Sequence, residues 1–160
     1  ELFEFGLMQT DPNFANYRYD PAGQRLILLD FGATRAFAPA FGAAYRQLNI
    51  AAMARDRAAM QQAAVAIGYF DQAAPPGHQT AVLNLFELAF EPLRQTGDYD
   101  FGSTDLAQRL RLASLALDRD FWHIPPVDAL FLHRKLGGLY LLATRLKARV
   151  NLPQLMAGFR

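Results

Sequence analysis

An aspartate, an asparagine five positions on, and a second aspartate closing an apolar run are the side chains here with an evident chemical purpose. Asp11 and Asn16 lie in Gln9-Thr10-Asp11-Pro12-Asn13-Phe14-Ala15-Asn16, and Asp30 opens Asp30-Phe31-Gly32. Transfer of a phosphoryl group from a magnesium-bound nucleotide uses such a set. One carboxylate orients the attacking hydroxyl, while an amide oxygen and a second carboxylate hold the ions that bridge the phosphates. Each piece alone is an ordinary turn or strand end. The ordered combination of Asp-x4-Asn, strand, turn, strand and Asp-Phe-Gly is much rarer. It reads as a magnesium-nucleotide site, or the remains of one.

The elements between these residues must bring them together. Tyr17-Arg18-Tyr19 reads as a short strand and Leu26-Ile27-Leu28-Leu29 as a buried one. Asp20-Pro21-Ala22-Gly23-Gln24 between them is a turn, with Pro fixing one dihedral and Gly permitting a positive φ. In the resulting hairpin the start of the first strand lies beside the end of the second. Asn16 and Asp30 therefore share one edge, and Asp11 lands near it in a loop braced by Pro12. Upstream, Leu2, Phe3, Phe5 and Met8 suggest the apolar side of a helix already under way. Downstream the pattern is mostly helical: 39–54, 57–66, 79–94, 105–117 with Thr104 as N-cap, and 127–150. Residues 71–77 read as a linker, 96–103 as a loop, and Trp122-His123-Ile124-Pro125-Pro126 as a stiff connector.

The wording of these motifs resembles a known family. Catalytic loop, hairpin and Asp-Phe-Gly in that order look like the C-terminal lobe of the protein-kinase-like fold, mostly α with a small β-hairpin. Met8 to Asn16, together with Leu28-Leu29-Asp30-Phe31-Gly32-Ala33-Thr34-Arg35, is closer still to the UbiB-type atypical kinases. These are ATPases that support coenzyme Q (ubiquinone) biosynthesis, and the likeness is to the mitochondrial and alphaproteobacterial type. Leu132-His133-Arg134-Lys135-Leu136-Gly137-Gly138 and Leu146-Lys147-Ala148-Arg149 also look like that branch. The resemblance implies ATP and Mg2+ as ligands, Asp11 as the catalytic carboxylate, and Asn16 and Asp30 as metal ligands. Asn13, Gly32 and Arg35 would lie near the nucleotide phosphates.

It also implies ubiquinone precursors or a membrane surface, and other ubiquinone-biosynthesis proteins, as partners. The compartment would be the bacterial cytoplasm and inner-membrane periphery, or the matrix side of the mitochondrial inner membrane. Asn13 stands where ordinary protein kinases have a phosphate-contacting lysine, and Thr10 where they have arginine. No Ala-Pro-Glu follows Asp-Phe-Gly. These departures favour an ATPase or small-molecule kinase over a protein kinase. The kinase-like fold also needs a second lobe with a phosphate loop and a lysine, and here the lysines are Lys135 and Lys147. The expectation is a single C-lobe domain over 1–160, a C-terminal piece that lacks the N-lobe and turns over little alone.

Composition narrows the alternatives. Sixteen Lys and Arg against 15 Asp and Glu give a net charge of +1, which argues against a general nucleic-acid binder. The absence of cysteine removes disulfide, zinc-thiolate and thiol chemistry. A hydrophobic share of 52% leaves apolar surface to spare. One rival is a phosphotransferase of the aminoglycoside or choline kinase type, but those loops usually put a histidine before the aspartate, where this chain has Gln9-Thr10. Another is a non-enzymatic lipid- or protein-binding module using the basic last helix, with Arg134, Lys135, Arg145, Lys147 and Arg149. The bland reading of that helix is a solvated face, and Leu139 to Ala143 is too short to span a bilayer. Gly137-Gly138 in mid-helix suggests close approach of another helix or backbone. Arg35 has two equal readings, a phosphate or a carboxylate partner. His133 reads as a core or surface-pairing residue, His123 as packing and His78 as a solvated loop residue.

Overall fold

The hairpin forms as its residues demand. In the computed structural model, which describes residues 1–115 and 125–159, β2 (Tyr17–Asp20) pairs antiparallel with β3 (Arg25–Leu28). Tyr17 faces Leu28 and Asp20 faces Arg25. The Asp20 carboxylate accepts from Ala22 N at 3.1 Å, an Asx turn that closes the connection. One expectation fails: β3 is not buried. Leu26 is 71% exposed, and Ile27 and Leu29 are also open. Among the described residues the two strands pair only with each other, and Leu26 and Ile27 are left open.

A second ladder was not foreseen. The N-terminal helix α1 (Leu2–Phe5) is a single turn that ends at Gly6 with φ 60°, a left-handed conformation that suits glycine. Met8 therefore belongs not to that helix but to β1 (Leu7–Gln9), which pairs with β4 (Thr34–Ala36). This ladder joins the chain before Asp11 to the chain after Asp30-Phe31-Gly32, so both ends of the motif are tied at one place. Three-residue strands lack the periodic signal that marks longer ones.

The core lies under this assembly. Helix α2 (Pro39–Ala54) presents Phe41, Tyr45, Leu48, Ala51 and Ala52 to it, at helical spacing. Helix α3 (Arg57–Ile67) starts with Asp56 as N-cap, its carboxylate accepting from Ala59 N at 3.0 Å, and ends at Gly68. Helix α4 begins earlier than the linker reading allowed and spans Pro76–Ala89, because proline is at home in a first helical turn. Pro92 does not continue it; residues 91–94 form a 3-10 turn. His78 is thus a half-buried helical residue rather than a solvated loop one, and its Nε2 is buried with no hydrogen-bond partner. Helix α5 (Leu106–Leu115) is capped by Thr104, whose hydroxyl accepts from Leu106 N at 3.1 Å. The expected extension of α5 to 117, and Trp122-His123-Ile124, lie outside the described residues.

The last long helix, α6 (Val127–Arg145), stops short of residue 150. The chain turns at Lys147, where φ is 49°, and forms β6 (Arg149–Val150), which pairs with β5 (Tyr99–Asp100) in the segment expected to be a loop. Helix α7 (Leu152–Met156) follows, with Pro153 inside its first turn. Among the described residues no helix is long and apolar enough to cross a membrane.

His133, an exposed residue of α6, closes a polar cluster at the edge of the helical layer, its ring partly covered by Tyr69. Its Nε2 lies 2.6 Å from the Tyr69 hydroxyl and 3.3 Å from that of Tyr45, and the two hydroxyls also bond each other. Burial pushes the Tyr45 hydroxyl up to about 12 and raises that of Tyr69 as well, so both stay protonated. Partial burial of the ring lowers His133 below its ordinary 6.5. The unfolded chain therefore takes up a proton near pH 6.5 that the folded chain refuses until lower pH. Stability is expected to be full above that pH and to decline on acidification through the folded value. Denaturant midpoints from about pH 8 to 5 check this, and His133→Gln should flatten the slope.

Candidate active site

The loop between β1 and β2 is held from below. Thr10 is buried, and both its backbone N and its hydroxyl donate to Ala33 O, at 2.9 and 2.7 Å. The residue that stands in for a kinase arginine thus works as a latch onto the segment behind Asp30-Phe31-Gly32. Asn13 caps a short 3-10 turn, Phe14–Asn16, its side-chain oxygen accepting from Ala15 N at 3.1 Å. Its amide oxygen is spent locally.

Asp11 and Asn16 meet directly. The Asn16 amide nitrogen donates to the Asp11 carboxylate at 3.0 Å and, at 3.4 Å, to its backbone carbonyl. This fixes the amide so that its oxygen turns away from the carboxylate, open to a cation. Leu29 N donates to Asn16 O at 3.0 Å, which extends the hairpin ladder and sets Asp30 beside Asn16 along the backbone. The Asp30 side chain is exposed, and its Oδ1 accepts from Gly32 N at 2.8 Å. A Cβ on Gly32 would crowd that oxygen at 3.2 Å. Asp30 makes no direct side-chain contact with Asp11 or Asn16. Among the described residues no three His, Cys, Asp or Glu side chains cluster tightly enough to hold a metal. An amide oxygen and a carboxylate, those of Asn16 and Asp30, are the donor types that suit magnesium, a hard cation that keeps water and phosphate oxygens in its other positions.

Arg35 takes the carboxylate partner of its two readings. It reaches Asp128 on α6 at 2.6 Å and stacks over the Phe131 ring.

Helix α6 supplies residues that sequence reasoning assigned to a solvated face. Arg134 donates to Asp11 Oδ1 at 2.9 Å. Lys135 is 4% exposed, against the expectation, with its ammonium 3.1 Å from Gln9 Oε1, 3.2 Å from the Tyr17 hydroxyl and 3.6 Å from Glu1 Oε2. Gln9 in turn donates to Asp11 O at 2.6 Å. Gly138 meets Pro12 so closely that a Cβ there would lie 2.0 Å from Pro12 Cγ, while Gly137 faces open space. The glycine pair was the one sequence signal of this contact, and it pointed to a close approach without naming the loop. Nothing in the spacing of Arg134 and Lys135 marked them, because a basic helical stretch looks the same whether it is solvated or docked. A lysine this buried is kept only with partners. Lys135→Ala should cost about 2 kcal/mol of stability by stranding Gln9 and Glu1; denaturant unfolding would measure it.

The chain is similar to known proteins over most of its length. The profile of the ABC1 atypical kinase-like domain matches residues 1–64. Over 94% of its length the chain is 39% identical to the rat protein named atypical kinase COQ8B, mitochondrial (Rattus norvegicus). The chain belongs to the UbiB-like atypical kinase family. Over 97% of its length it is 35% identical to atypical kinase COQ8, mitochondrial, of Saccharomyces cerevisiae. A Schizosaccharomyces pombe relative of the same name is 32% identical over 99% of it. This UbiB-like chain spans only 28% of the rat protein and 31% of the budding-yeast one. Its helical layer with small antiparallel strand pairs suits a kinase-like lobe.

Proposed function

We propose that the full-length protein is a magnesium-dependent atypical kinase or ATPase that supports ubiquinone biosynthesis, and that this chain carries its catalytic loop and metal ligands. The observation that carries the reading is the Asp11–Asn16 bond at 3.0 Å beside the strand end that bears Asp30. Magnesium bound with the nucleotide would supply positive charge to the phosphates. Asn16 and Asp30 would hold it through oxygen. Asp11 would orient the attacking hydroxyl or water and accept its proton as the new P–O bond forms. The bridging P–O bond breaks with its electron pair passing to the β-phosphate. Lys135, buried against Gln9 and Tyr17, is spoken for and is not available to the α- and β-phosphates. The 160 residues alone are therefore expected to hydrolyse little ATP.

The substrate reading favours ubiquinone precursors or a membrane surface, with other proteins of that pathway as partners. It rests on the family and on exposed apolar residues, Leu26 and Ile27 of β3 and Leu130, Leu136 and Leu141 of α6. The names of the relatives support a mitochondrial setting; the matrix side of the inner membrane, or the inner-membrane periphery of a bacterium, is our reading within it. The test is nucleotide titration of the full-length protein with and without magnesium, alongside phosphate release. Tight binding and turnover that both require magnesium are expected. Binding indifferent to magnesium, with no phosphate released, would sink the reading.

A further inference from the structure

Phosphoryl transfer brings a phosphate bearing negative oxygens against the carboxylate that serves the nucleophile, so a cation is needed at that point. Residues 9–16 contain no lysine or arginine, and the Asn13 oxygen is used by Ala15 N. Any positive charge beyond what magnesium would bring comes from another element. Among the described residues three cations of α6, Arg134, Lys135 and Arg145, contact residues of the loop, and Arg35 sits on the neighbouring β4. Arg35 is committed to Asp128 and Phe131. Lys135 is buried under the loop with Gln9, Tyr17 and Glu1. Arg145 lies over the Phe14 ring at 5.5 Å, away from the carboxylate. Arg134 alone combines a bond to the Asp11 carboxylate with an open guanidinium: it is 2.9 Å from Oδ1, and its side chain is 57% exposed.

We propose that Arg134 is a catalytic residue, reaching over from α6 to supply the phosphate-facing positive charge that the loop itself lacks. The inference rests on the nucleotide reading above. A planar guanidinium has five donors in a fixed fork, so one edge can hold Asp11 while another meets a phosphate oxygen. In that arrangement Arg134 aims the carboxylate and offsets the charge on the transferred group together. The segment around it is built to keep this aim: Lys135 ties to Gln9, and Gly138 lets Pro12 press onto the helix one turn on.

The test uses the full-length protein with Arg134→Ala, Arg134→Gln and Arg134→Lys, measuring magnesium-dependent phosphate release and nucleotide titration. Glutamine keeps a donor for Asp11 without charge, and lysine keeps charge without the fork. The expected result is a loss of about a hundredfold in kcat for both the Ala and Gln variants, with nucleotide KM changed by less than about threefold and substantial recovery in the Lys variant. Turnover in Arg134→Gln equal to that of the unsubstituted protein would overturn the proposal and leave Arg134 a positioning residue. Unchanged turnover in Arg134→Ala would overturn it too. Failure of the unsubstituted protein to bind nucleotide with magnesium is a different outcome: it removes the nucleotide reading itself, and this inference with it.

Discussion

Asp30→Ala in the full-length protein should cut magnesium-dependent ATP turnover by about a thousandfold, roughly 4 kcal/mol of transition-state stabilisation, with the fold intact. The two halves of that expectation have separate grounds. Asp30 is exposed, and its hydrogen bond is the local one from Gly32 N at 2.8 Å, so its loss should move stability by less than about 1 kcal/mol. Its carboxylate is also the charged ligand of the proposed magnesium set, since Asn16 brings only a neutral amide oxygen. Nucleotide affinity should fall when magnesium is present and stay the same when it is absent. Paired titrations and a thermal melt would check all three statements. Turnover within tenfold of the unsubstituted protein would remove Asp30 from the metal site.

Gly138→Ala should be nearly as damaging by a wholly steric route, and Gly137→Ala should not. A Cβ at 138 would lie 2.0 and 2.4 Å from Pro12 Cγ and Cβ, distances that real atoms do not tolerate. Either α6 or the loop must retreat. Pro12 is a stiff ring joined to Asp11, so the loop moves and takes the carboxylate with it. A displacement of about 1 Å can cost about a hundredfold in rate, and the overpacking itself about 1–3 kcal/mol of stability. At 137 a Cβ meets nothing within 4 Å. There the substitution should stabilise by roughly 0.5–1 kcal/mol, because alanine is the better helix former and loses less chain entropy. Melting temperatures and phosphate release of the two variants side by side would decide it. Equal behaviour of the pair would mean that Pro12 does not rest on the helix.

Much of the fold could be read from local chemistry. The helix starts at 39 and 57 and Thr104 capping α5 rest on signals confined to a few residues, and each landed where expected. The hairpin was legible because its turn residues and its two apolar runs sit side by side in sequence. Readings that failed were of another kind. Leu26 and Ile27 look like core residues, yet whether a two-stranded hairpin is covered depends on what else packs there. The β1–β4 and β5–β6 ladders join segments far apart in the chain, through strands too short for any period.

The site divides the same way. Sequence by itself determined the candidates, Asp11, Asn16 and Asp30, their order, and the hairpin that runs between two of them, because these rest on neighbouring residues and a repeat of two. Tertiary structure alone decided which partners those groups meet. Arg134 on Asp11, Lys135 beneath Gln9 and Gly138 against Pro12 lie more than a hundred positions from the loop they hold. A basic, glycine-bearing helix has the same sequence on a free surface as in a docked one. Only its packing against the loop that bears Asp11 turns those residues from a solvated face into the brace of the candidate site.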